Sequence, residues 1–234
     1  QGQLLSVVND ETSDVSVIFA QDGSLYAQTN REAPNSRVVK FRLPTPAVWQ
    51  DVIPESEHVL DASAAGGYFF AQYMVDAISR VQQFSIDGQR LREIVLPGPG
   101  DASGFRGKAK DTVTYYSFQN YKTPSTLFRL DLATGDSSVY RVSKADFDST
   151  DYVSKQVFYA SKDGTRVPMI ITHRADLDQN QTHPTMLYGY GGFDISLTPR
   201  FSSTMAAWLE SGGVYVVPNP VSYTHLTLPT TPYV

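Results

Sequence analysis

No cysteine occurs in the 234 residues, which excludes disulfides, thiolate metal sites and cysteine nucleophiles. Apolar runs are short: none approaches the roughly 18 residues that a membrane-spanning helix needs. Basic residues are few, 19 Lys and Arg against 24 Asp and Glu, and they form no block. With a net charge of −5 and an isoelectric point near 5.3, the chain lacks the electrostatic footprint of a nucleic-acid binder. A Gly-x-Ser-x-Gly elbow, which would present a hydrolase nucleophile, is missing. A phosphate-cradling glycine loop is missing too, since Gly98-Pro99-Gly100 reads as a turn. The four histidines, His58, His173, His183 and His225, have no partners at metal-ligand spacing. Carboxylate pairs such as Asp146 and Asp148 read as solvated loop charges. Gln1-Gly2-Gln3 shows neither an initiator Met nor a charged-then-apolar leader. The start therefore reads as internal to a longer protein.

Aromatics, by contrast, are plentiful: 14 Tyr and 12 Phe help bring the hydrophobic share to 41%, a composition that favours β-structure. Residues 1–145 read as repeated short strands. Tyr26, Phe70 and Tyr116 each mark an aromatic-rich strand, and a similar strand follows each after a polar loop. Those following strands begin at Ser36, Ser79 and Ser125, roughly 45 residues apart, the repeat length of four-stranded propeller blades. Asp87-Gly88 and Thr134-Gly135 supply turns. An antiparallel sandwich with coincidental spacing is the competing arrangement, but the shared serine-to-strand register favours about three blades of a β-propeller. Three fall short of the four to eight that close a ring, so further blades are expected upstream.

The character changes at the polar, acidic stretch 146–151, which suits a linker. Val157-Phe158-Tyr159 and Val167–Thr172, joined through Asp163-Gly164, read as a hairpin. A polar loop from Arg174 to His183 leads to a strand at Thr185–Tyr188. Ser202-Ser203 is placed to cap a helix with Met205, Trp208 and Leu209 on one face, ended by Gly212-Gly213. Val214–Val217 reads as a buried strand. Strand, loop, helix and strand in that order suit the opening of an α/β sheet.

Three stretches carry a family resemblance: Phe158–Met169 (FYASKDGTRVPM), Tyr188-Gly189-Tyr190-Gly191-Gly192-Phe193, and Gly212–Val216 (GGVYV). With them the chain resembles the prolyl oligopeptidases, serine peptidases that cut after proline, over about residues 1–219. Oligopeptidase B-like members carry Ser-Tyr where this chain has Gly192-Phe193, so the resemblance points to the proline-specific branch. It implies an all-β propeller (partial, about three blades, 1–145) followed by the truncated start of an α/β-hydrolase domain (146–219). It also implies that Tyr190 donates its hydroxyl to the oxyanion and that Phe193 walls the pocket for the substrate proline. The chemistry is apt, because a phenol can stabilise developing negative charge and an apolar ring suits a pyrrolidine. The bland alternative is that both rings merely pack a strand end.

By the same resemblance the whole enzyme hydrolyses short proline-containing peptides by Ser-His-Asp acyl transfer. It needs no cofactor or metal, and neither nucleic acid nor membrane is a partner. A cytoplasmic location is favoured. The triad is expected beyond this chain, leaving this piece inactive alone. Residues 220–234, rich in Thr and Pro where the family continues with Arg-Gly-Gly-Gly, read as a non-native tail. A reading from another class is a non-catalytic β-propeller interaction module, for which the Tyr190-to-Phe193 motif would have no use.

Overall fold

The computed structural model describes residues 11–43, 48–178, 180–190 and 196–219. Its first twelve strands form three antiparallel four-stranded sheets, each a simple meander in chain order. The first holds β1 (Val15–Gln21), β2 (Ser24–Thr29), β3 (Arg37–Arg42) and β4 (Gln50–Ile53). The second holds β5 (Leu60–Ala65), β6 (Tyr68–Val75), β7 (Ile78–Ser85) and β8 (Arg90–Ile94). The third holds β9 (Asp101–Arg106), β10 (Val113–Gln119), β11 (Thr126–Asp131) and β12 (Ser137–Val142). Each marked aromatic falls in a second strand, and each serine-led segment forms a third. In every sheet a register shift lies between the third and fourth strands, at Val38/Val39, Gln83/Phe84 and Leu127/Phe128. Such bulges add twist to the outer strand.

Two shared cores join the sheets, where a sandwich would have one core between two sheets. Side chains alternate along a strand, so consecutive Phe69 and Phe70 in β6, both 0% exposed, must leave opposite faces. Phe69 packs with Tyr26, Val38 and Ile53 of the first sheet. Phe70 packs with Phe105, Tyr116 and Phe128 of the third. That second core is an aromatic stack with ring centroids 5.5 Å (Phe70–Phe105), 4.6 Å (Phe105–Tyr116) and 5.2 Å (Tyr116–Phe128) apart. Two glutamines, half-buried Gln28 and fully buried Gln83, add polar stitches. Gln28 Nε2 donates to Leu60 O at 2.8 Å, its Oε1 accepts from Ala62 N at 2.7 Å, and Gln83 Nε2 donates to Leu132 O at 2.8 Å.

A single 3₁₀ turn, Ser149–Asp151, leads into a fourth sheet of different design. It contains β13 (Tyr152–Ala160), β14 (Arg166–Arg174), β15 (Thr185–Leu187) and β16 (Val214–Pro218), in spatial order β13-β14-β16-β15. The hairpin is longer than its apolar runs mark, because nine residue pairs from Tyr152↔Arg174 to Ala160↔Arg166 extend it through polar positions. β15 and β16 are parallel and are connected through α1 (Ser203–Glu210). Ser202 occupies the N-cap position but makes no side-chain cap bond, so the Met-Ala-Ala-Trp-Leu propensity and the buried face carry the helix. Trp208 Nε1 donates to Val214 O at 3.0 Å. Gly213 must be glycine because a Cβ there would overlap the Trp208 ring.

The fourth sheet is docked on the ends of the second and third. Ile78 and Tyr121 from those sheets share a core with Tyr152, Ile170, Leu209, Tyr215 and Val217. Tyr121 meets Tyr215 edge-on at 5.1 Å between centroids.

Candidate functional site

The Tyr190 motif hangs from the end of β16. The strand itself is a buried anchor, with Val214 to Val217 all inside the core, and it bonds β14 on one side and β15 on the other. Beyond the short β15, Tyr188 N still donates to Val216 O at 2.9 Å. Gly189 then lies close to the Pro218 ring, and the chain leaves the ladder. Tyr190 is 39% exposed, open enough to meet a ligand. Phe193, with Gly191, Gly192, Asp194 and Ile195, lies outside the described residues.

The chain returns at Ser196. Leu197 N donates to the side-chain Oδ1 of Asn219 at 3.1 Å, and Asn219 N in turn donates to Pro168 O at 2.8 Å. Asn219 is 1% exposed, and among the described residues its Nδ2 group has no partner. A half-satisfied buried carboxamide of this kind costs about 1–3 kcal/mol.

Three phenols gather beneath this end of the sheet. Burial pushes the Tyr121 hydroxyl far above its ordinary range, with Tyr215 and Tyr188 adding to the rise. Burial, then Tyr188, raises Tyr215 in the same way. Both are therefore neutral at physiological pH, able to donate or accept a hydrogen bond but not to act as bases. Asp101, at the start of β9, is also raised by burial, opposed by Arg200, Gln119 and Ser79. Arg200 lies on the segment leading from the motif to α1, so this attraction spans the third and fourth sheets. Lys122 Nζ donates to Ser149 O at 3.0 Å and Tyr152 O at 2.7 Å, and desolvation lowers its pKa. The ammonium thus fastens the linker to the third sheet.

Sequence spacing assigns no role at the site to Asn219, Tyr121, Lys122 or Asp101, and marks Tyr215 only as part of a buried strand. Their partners come from distant parts of the chain, and no local motif advertises such contacts.

Three of the histidines make local contacts. His173 Nδ1 hydrogen-bonds Arg174 O, His183 Nε2 hydrogen-bonds Asp178 O, and His58 lies 3.5 Å from Glu57. His225 lies outside the described residues. A cleft of about 640 Å³ opens between the second sheet and β13, lined in part by Ile78, Leu96, Pro99, Gln156 and Val157. Tyr190 does not line it. No helix among the described residues is long and apolar enough to cross a membrane.

A family model described as prolyl oligopeptidase, N-terminal beta-propeller domain, matches residues 1–143. The prolyl endopeptidase of Elizabethkingia meningoseptica is 46% identical over 217 residues, covering 92% of this chain and 31% of that protein. The dual function macrocyclase-peptidase POPB of Amanita bisporigera is 32% identical over 226 residues, covering 91% of this chain and 30% of that protein. Among solved structures, apo prolyl oligopeptidase B from Galerina marginata superposes with a TM-score of 0.83 at 31% identity, over 91% of this chain and 31% of that one. The chain thus spans about a third of the length of the relatives it matches.

Proposed function

The chain belongs to the prolyl oligopeptidase family, and from that premise we propose that it is part of a serine peptidase that hydrolyses peptide bonds on the carboxyl side of proline in short peptides. The three meander sheets are blades of its propeller, within 1–145. The mixed sheet with α1 (146–219) is the opening of its α/β-hydrolase domain, and 220–234 is a non-native tail. The serine, aspartate and histidine of the acyl transfer lie outside this chain, so the piece alone has no peptidase activity. Short proline-containing peptides are the substrates; neither nucleic acid nor membrane takes part, and no cofactor is required.

One observation carries this reading: Tyr190 stands half-open on a loop suspended from a buried parallel strand, where a hydroxyl donor can be held still while a substrate approaches. A phenol so placed stabilises the charge that develops on a carbonyl oxygen in the transition state. Phe193, three residues on, is the apolar wall for the proline ring. Its glycine-rich surroundings support close approach of backbone to substrate.

The test is Tyr190→Phe in the full-length protein. Loss of one preorganised donor should lower kcat by about 10²–10³, with a much smaller change in KM, because the charge appears only at the transition state. A near-normal kcat in a folded variant would remove Tyr190 from the catalytic list.

A further inference from the structure

We propose that Asn219 is a positioning residue for the Tyr190 loop, its buried side-chain carbonyl clipping the outgoing leg of the loop to the end of β16. The inference rests on the reading of Tyr190 as an oxyanion donor.

The two legs of the loop are held by different means. The incoming leg belongs to the ladder, through Tyr188 N to Val216 O at 2.9 Å. The outgoing leg has left the sheet, and its Leu197 N–H is taken by Asn219 Oδ1 at 3.1 Å. Val216, inside β16, and Asn219, immediately after it, stand three positions apart, so both legs are referred to one continuous segment. Asn219 is itself immobilised, since its backbone N–H donates to Pro168 O at 2.8 Å and its side chain is sealed from water.

The chemistry of the position argues in the same direction. Val214-Tyr215-Val216-Val217 is an apolar run, and another apolar residue would continue the core without leaving a polar atom unsatisfied. The chain instead buries a carboxamide whose Nδ2 has no partner among the described residues. Buried polar groups left unpaired are rare and call for a reason. That reason is the acceptor that Oδ1 supplies to Leu197. Oxyanion donors act only when held within about half an ångström of the productive position by supporting hydrogen bonds.

The experiment uses the full-length protein, with Asn219→Ala, Asn219→Leu and each combined with Tyr190→Phe, assayed on a chromogenic proline amide alongside melting temperature. Loosening the loop should lower kcat by about tenfold or more with little change in KM. The Tyr190→Phe penalty, about 10²–10³ with Asn219 present, should shrink in either Asn219 background by about the factor that the Asn219 substitution itself costs, leaving the double variant no less active than Tyr190→Phe alone, because coupled residues are non-additive. Hydrogen–deuterium exchange across 196–199 should also quicken. If Asn219→Ala does not fold, Asn219→Leu, which extends the apolar run, decides. An undiminished Tyr190→Phe penalty with unchanged exchange would overturn the inference while leaving the oxyanion reading standing. A Tyr190→Phe substitution that is silent with Asn219 intact would instead sink the oxyanion reading, and the inference with it.

Discussion

The second and fourth sheets are both four-stranded and rich in apolar residues, yet they meet water very differently. In the second, β6 buries consecutive phenylalanines, Phe69 and Phe70, because sheets cover it on both faces. In the fourth, β16 is buried, but its parallel neighbour β15 is exposed throughout, with Met186 37% and Leu187 68% open. An uncovered apolar edge strand is a liability that natural proteins avoid unless something uses or covers it. The contrast separates two jobs. The closed sheet supplies cohesion between its neighbours, while the open one carries the motif-bearing loop from a single buried strand.

Truncating equivalent apolar bulk in the two sheets should expose that difference most sharply. Phe70→Ala removes the end ring of the Phe70–Phe105–Tyr116–Phe128 stack and should cost about 3–5 kcal/mol. Leu187→Ala, in the strand that this 234-residue chain leaves open, should stay within about 0.5 kcal/mol when measured in the same chain. Denaturant unfolding of the two variants measures both. Equal losses would mean that Leu187 is covered in solution and that the comparison fails.

The junction between the two regimes gives the next effect. Lys122 Nζ donates to the carbonyls of Ser149, in the linker, and Tyr152, which opens β13. Lys122→Met keeps the aliphatic stem but removes the charged donor from both carbonyls, leaving Ser149 O with the Tyr152 N–H alone, and should cost about 1–3 kcal/mol. Limited proteolysis should also quicken within 143–151. A variant with wild-type stability and wild-type cleavage would show that the docking core around Tyr121 and Tyr215 suffices.

Much of the closed region was legible in the sequence, because its signals are local. The strands around Tyr26, Phe70 and Tyr116 and the serine-led strands after them fall where their β-propensity and turns put them. The outer strands were fainter: β12 is exposed at every residue, so no alternation marks it. Ser202 looked like a helix cap, yet the cap bond is not made, because the packing of Trp208 and Leu209 already fixes the helix. The region around the motif was harder to read. Tyr190 could be named from its glycine frame, whereas Phe193 lies outside the described residues. Asn219 holds a backbone group 22 positions away, and Lys122 reaches 27 and 30 positions along the chain. Such contacts exist only after the sheets have docked, so no window of sequence contains them.

The smallest effect concerns charge at the same junction, and its sign is set by pH. Burial raises the Asp101 carboxyl above its ordinary 3.8, and the pull of Arg200, with hydrogen bonds from Gln119 and Ser79, only partly offsets this. A carboxyl raised on folding binds its proton more tightly in the folded state. The stability it contributes is therefore fully present below 3.8 and is lost as pH rises through the folded value. At neutral pH the ionised Asp101 is a net burden, and Asp101→Asn, which cannot ionise, should melt higher than wild type. The gain should remain within about 1 kcal/mol, since partial solvent access screens such charges. Melting both proteins at pH 7 and at pH 3.5 checks the sign, because the advantage of Asn should vanish in acid. If Asp101→Asn were instead the less stable protein at pH 7, the attraction between Asp101 and Arg200 would outweigh burial. The junction would then be held by charge as well as by the Tyr121–Tyr215 core.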